Sequence, residues 1–267
     1  MKLDYVLIKG AGDLASGVAC TLHRAGYRVM LTEIEQPTCV RRKVSFAEAI
    51  YEGQITIEGI TGRRVGDLQS GLSVMADGEI AVRIDPLGQT LEELNPRVYI
   101  DATLSKRNTG ISRNDAEVVI ALGPGYDAGI DVHAVIETQR GPELGRVILS
   151  GFAIPNSGIP GNVLGYTSER VLRSPAAGKF TSILDIGDYV EVNQIVGYVE
   201  GQPVKTAIGG VIRGLLKNGL SVPVGMKLGD IHPEQNREVC TQVTDKAWIV
   251  GKGVLQAINI IREMASA

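Results

Sequence analysis

Apolar positions change their period along the chain, and the changes mark its organisation. Residues 4–9 (DYVLIK) make a short apolar run that predicts a buried strand. The next stretch, SGVACTLHRAG, sets Val18, Leu22 and Ala25 on one helical stripe, with Gly26 placed to end the helix. YRVMLTE (27–33) predicts a second strand, so the opening reads as strand, turn, helix and strand, the start of a right-handed βαβ unit. Helical character follows around 44–51, strands at 55–58 and 80–84, a helix over 91–94, and buried strands in RVYIDAT (97–103) and EVVIAL (117–122). Alternation of this kind predicts an α/β domain with a largely parallel sheet, and residues 1–150 are expected to be Rossmann-like.

Residues 151–169, rich in Gly, Pro, Asn and Ser, read as a linker. Beyond it the pattern repeats at a period of 32. SPAAGKFTSILDIGDYVEVNQIVG (174–197) aligns without gaps on TAIGGVIRGLLKNGLSVPVGMKLG (206–229), matching Gly178 to Gly210, Gly187 to Gly219, Val190 to Val222, Val192 to Val224 and Gly197 to Gly229. Each half reads as two short strands joined by a glycine turn, which cannot bury its apolar face alone. Two such halves closing on each other predict a barrel-sandwich module over 170–235, similar to biotinyl and lipoyl domains. Lys205 lies too close to Gly210, and lacks the flanking pattern, to act as a carrier lysine. A helical segment is expected within 236–267, where Val250, Val254, Ala257, Ile258 and Ile261 share a stripe.

Composition narrows the class. The 267 residues carry a formal charge of −3, with no basic footprint for nucleic acid. No apolar run approaches a membrane span, and MKLDYVLIKG does not read as a signal peptide. Cys20, Cys39 and Cys240 form no C-x-x-C pair, which argues against a disulfide framework or a zinc knuckle and fits a cytoplasmic protein. Cys39 reads as an exposed loop thiol. Glycine, at 33 residues, stands well above its usual share.

Those glycines lead to the candidate chemistry. Gly10, Ala11 and Gly12 form a G-x-G turn between strand and helix, continuing through Asp13 and Leu14 to Ala15. This is the context in which backbone N–H groups and a helix N-terminus meet a pyrophosphate. Glu33 ends the second strand, where an acid can take ribose hydroxyls. Asp13 at the head of the helix is unfavourable for a phosphate unless it has another partner. Arg41 and Arg42, followed by Lys43, could clamp an anion from the next loop, or simply form a solvated face. A second glycine turn, with Gly123 and Gly125, follows a buried strand and leads to Asp131 and His133. That pair could transfer protons or ligate a metal, or could fix a turn by hydrogen bonds, and the segment holds no further His or Cys to complete a metal site. No metal site is expected.

The segments KGAGDLASGVA, QPTCVRRKVSFAEAIYEG, GPGYDAGIDVHAVIET, GYTSERVLRSPAAG and DKAWIVGKGVLQAI together resemble the YqeB-type accessory proteins of selenium-dependent molybdenum hydroxylases, over essentially the whole chain. The resemblance implies an accessory or maturation role, with the hydroxylase apoprotein or its cofactor-assembly machinery as partner. It makes molybdopterin dinucleotide the favoured ligand of the first domain. It does not imply a hydroxylase, since three scattered cysteines cannot supply iron–sulfur clusters. Members tend to carry a histidine where this chain has Pro142, while Arg140 and Arg146 remain beside it. Two other readings stay open: an NAD(P)-dependent oxidoreductase using His133, and a non-catalytic scaffold docking the hydroxylase. Homo-oligomerisation and any catalysed reaction are left open.

Overall fold

The computed structural model describes residues 5–266; Asp4, where the first strand was expected to begin, lies outside the described residues. The chain divides into two compact units. One comprises the described residues of Met1–Pro37, Ser45–Ser157 and Val243–Ala267; the other comprises Thr38–Val44 and Gly158–Gln242.

The first unit is built on a nine-stranded sheet. Its elements in chain order are β1 (Tyr5–Lys9), α1 (Asp13–Arg24), β2 (Arg28–Glu33), α2 (Ala49–Glu52), β3 (Gln54–Ile57), β4 (Ile60–Val65), α3 (Leu68–Ala76), β5 (Ile80–Ile84), α4 (Gln89–Leu94), β6 (Val98–Asp101), β7 (Val118–Leu122), β8 (Ala134–Ile136) and β9 (Val147–Ile148). The spatial order is β3-β4-β5-β2-β1-β6-β7-β8-β9. Strands β4 to β8 of that order run parallel, and the pairs β3–β4 and β8–β9 at the two edges are antiparallel. Core strands are apolar throughout because both faces are covered: all of β7 and β8, and the middle of β1, are buried. The last helix, α5 (Asp245–Ser266), returns to this unit, lies beside α1 and runs over β7, β8 and β9. The α1–α5 crossing is close enough that a Cβ on Gly17 would lie 2.6 Å from that of Ala247.

The second unit contains β10 (Val171–Arg173), β11 (Gly178–Ser182), β12 (Tyr189–Val190), β13 (Ile195–Val199), β14 (Gln202–Lys205), β15 (Gly210–Leu215), β16 (Ser221–Val222) and β17 (Lys227–His232). They form two four-stranded sheets, β10-β17-β15-β12 and β14-β13-β11-β16, antiparallel throughout. The repeat is visible as two strand triplets, β11-β12-β13 and β15-β16-β17. The triplets exchange partners: β12 pairs with β15, and β16 with β11. Their apolar faces, among them Phe180, Val196, Ile212, Leu215 and Leu228, make one core that also takes in Val40. Asp230 is fully buried there, between Arg170 at 2.8 Å and Arg213. Burial alone would raise its carboxyl, but Lys227, Arg213 and Arg170 hold it below the ordinary value.

The expected fold class, a Rossmann-like domain followed by a barrel-sandwich module of biotinyl or lipoyl type, is corrected here. The first unit is one large mixed sheet with a parallel core. No helix connects β6 to β7 or β7 to β8, and a helix from the far end of the chain covers those strands. Each half of the repeat supplies three strands, not a two-stranded hairpin. The sheets also recruit β10, β14 and the backbone of Val40, whose carbonyl accepts from Leu215 N–H at 2.8 Å. The physical reason is shared by both corrections: apolar periodicity marks which segments are strands, and leaves their partners undetermined. Among the described residues no helix is long and apolar enough to cross a membrane.

Candidate functional site

Strand β1 has β2 on one side and β6 on the other, so the chain reverses its direction of travel across the sheet at β1. In open parallel sheets the crevice beyond the carboxyl ends at such a point receives ligands. The G-x-G turn lies there. Gly10 adopts φ +95°, and a Cβ on it would come within 3.2 Å of the Ala102 backbone at the end of β6. Only glycine fits this crossing easily. Gly12 is the N-cap of α1 and makes no side-chain cap. The turn is fastened from the other side, where Ala11 O accepts from Ala47 N–H at 2.9 Å and Ser16 Oγ accepts from Phe46 N–H at 2.8 Å.

Glu33, at the end of β2, reaches into this turn. Its Oε2 accepts from Ala11 N–H at 3.0 Å and its Oε1 from Ile34 N–H at 2.8 Å. Burial pushes its carboxyl above the ordinary value, against the pull of those two bonds. Each oxygen keeps a lone-pair position for a hydroxyl donor. Asp13 and the buried Leu14 open α1. Lys246, in the first turn of α5, feels the charge of Asp13: burial lowers that ammonium below the usual lysine value, and Asp13 is the strongest influence opposing the shift.

A polar network extends the site along β6. Asp101 is almost wholly buried; its Oδ1 accepts from Thr103 N–H at 2.9 Å and Thr103 Oγ1 at 2.6 Å, and its Oδ2 from Tyr126 OH at 2.8 Å and Thr109 Oγ1 at 2.5 Å. Lys9, the last residue of β1, donates to Thr109 Oγ1 at 3.0 Å and to Thr109 O at 3.3 Å. The Tyr126 hydroxyl is pushed up to about 12, by burial first. Sequence reasoning missed Lys9, Asp101, Thr109 and Tyr126. The one available signal was an acid closing the apolar run RVYID.

The second glycine turn joins the same edge, but its glycines meet protein. Gly125, at φ +114°, would set a Cβ 2.3 Å from Arg107 N, and Gly123 would set one 2.7 Å from Thr138 Oγ1. Asp131 accepts from Asp127 N–H at 2.9 Å. His133 Nδ1 accepts from Val119 N–H at 3.0 Å, toward the amino end of β7, and burial lowers its pKa. These two residues thus hold backbone, and the structure does not bring them to the G-x-G turn. Arg41 and Arg42 fold into the second unit. Arg41 is buried and donates to Val239 O and Gln242 O; Arg42 donates to Leu215 O and to Asp185. Arg140 pairs with Asp245, and Arg146 with Glu143. No group of three or more His, Cys, Asp or Glu positioned for a metal occurs among the described residues.

Comparison with known proteins adds one relative. Over 258 residues the chain is 44% identical to the Uncharacterized protein YqeB of Escherichia coli K12. It is similar to YqeB. The match takes in 97% of this chain and 48% of the relative, so the chain spans about half the length of YqeB. No family model matches. Solved structures that align include an aspartoacylase family protein of Mesorhizobium loti (12% identity, 87% of this chain and 86% of that one, TM-score 0.27). A succinylglutamate desuccinylase/aspartoacylase of Rhodobacter sphaeroides aligns over the same shares at TM-score 0.29. Likenesses this loose transfer no chemistry.

Proposed function

We propose that this chain is a cofactor-handling accessory protein of selenium-dependent molybdenum hydroxylases, and that its first unit binds molybdopterin dinucleotide as a ligand at the Gly10–Gly12 turn. The observation that carries the ligand class is the carboxylate of Glu33. It is fixed by two backbone N–H groups beside a glycine turn, at the carboxyl ends of parallel strands, with acceptor capacity left for a ribose diol. The accessory role rests on the motif resemblance and carries the partner with it: a hydroxylase apoprotein or its assembly machinery. The oxidoreductase reading is less favoured, because His133 spends Nδ1 on Val119 N–H and is not at the glycine turn.

Equilibrium binding of molybdopterin dinucleotide to the wild-type chain, Gly12→Asp and Glu33→Ala tests the proposal, with NAD and NADP as competitors. Both substitutions are expected to weaken binding by about tenfold or more, roughly 1.4 kcal/mol. Equal affinity for all three proteins overturns it, as does tighter binding of NAD or NADP.

A further inference from the structure

Resting on that dinucleotide reading, we infer that the phosphates are held by the cationic tip of the β6–β7 connection, Lys106 and Arg107, together with Lys9, rather than by the amides of the G-x-G turn. The first argument is subtractive. Ala11 N–H, the amide at the centre of the turn, already donates to Glu33, so the turn offers a pyrophosphate less than its motif promises. An acid at that position also repels phosphate, and a neighbouring cation has to offset it.

The second argument is how the connection is built. It starts at Ala102, against Gly10, and so rises from the same sheet edge. Two non-glycine residues, Leu104 at φ +55° and Lys106 at φ +61°, occupy the left-handed region that side chains disfavour. Flanking bonds hold them there. Thr103 and Thr109 are tied to buried Asp101 on either side of the tip, and Asn108 Oδ1 accepts from Gly110 N–H at 2.8 Å and Ile111 N–H at 3.0 Å. Gly125 allows the backbone at Lys106–Arg107 to lie directly on the second glycine turn. A conformation over-determined in this way fixes the backbone of two adjacent exposed cations on a connection that starts against Gly10 and comes back to the end of β1, where Lys9 donates to Thr109 and adds a third cation. Guanidinium and ammonium groups recognise a diphosphate by charge-assisted hydrogen bonds, and a backbone already fixed adds no loop-ordering cost to that of the side chains.

Calorimetry with inorganic pyrophosphate as the probe, on the full chain at low salt, tests this. The wild-type chain is expected to bind, and Lys106→Gln and Arg107→Gln each to weaken binding by about fivefold or more, with a shallower dependence on salt. Both positions are exposed, so folding is checked by an unchanged melting curve. Absence of pyrophosphate binding by the wild-type chain overturns the inference, as does undiminished binding by both variants. Dinucleotide binding that fails in Glu33→Ala but is untouched by the tip variants sinks the inference alone. Tip-dependent pyrophosphate binding with no tighter binding of the dinucleotide sinks the earlier reading and leaves the anion subsite standing.

Discussion

His133 shows how a residue type that suggests catalysis can be held by the backbone. Its Nδ1 accepts from Val119 N–H, which requires a neutral ring with the proton on Nε2, and burial lowers its pKa below the ordinary 6.5. The sign of the pH dependence follows. In the unfolded chain the ring takes a proton as pH falls through 6.5, whereas the folded ring resists it, so the stability this group contributes is present above 6.5 and lost on acidification. His133→Asn keeps an acceptor but does not titrate. Between about pH 7.5 and pH 5.5 its melting temperature should fall less than that of the wild type. Parallel falls in the two proteins would show that the ring is not held neutral. Glu33 is the contrasting case, a carboxylate also held by backbone N–H groups but with acceptor capacity left on each oxygen.

Among the elements, α1 and α5 depend on each other through small residues. The buried stripe of α5, with Val250, Val254, Ala257 and Ile258, has no partner within its own segment, and α1 supplies one across the length of the chain. Contact at this spacing needs a bare Cα at Gly17. Gly17→Val should destabilise the first unit by about 1–3 kcal/mol, because overpacking forces the helices apart. Urea unfolding reads this directly, and a midpoint equal to wild type would mean the helices sit further apart. Asp13 in the first turn of α1 suits the positive end of the helix dipole, and its charge also opposes the burial-driven lowering of the Lys246 pKa in α5.

At the level of the whole molecule, chain order and spatial order part company. Thr38–Val44 leaves the first unit, supplies Val40 O to Leu215 and Arg42 to Leu215 O and Asp185, and the chain then returns to the first unit at Ser45. Arg42→Ala should therefore raise amide exchange in β15 and β17, with a cost of about 1–2 kcal/mol to the second unit. Protection in β1 and β6 should stay unchanged. Faster exchange in β1 and β6 would contradict the assignment of this segment. Local signals were enough to mark β1, α1, β2, β7 and α5, because each carries its own apolar period or terminating glycine. The 32-residue repeat was legible for the same reason, as was the presence of an acid at the end of β2, since each is a matter of residue type at fixed spacing; the bond from Ala11 N–H to Glu33 was not. The mixed nine-stranded sheet, the exchange of strands between repeat halves and the cluster around Asp101 were not. Strand partners, and the atoms a buried carboxylate or an arginine meets, are set by contacts between residues far apart in sequence. Periodicity holds no information about those, and only the folded chain brings them within hydrogen-bond distance.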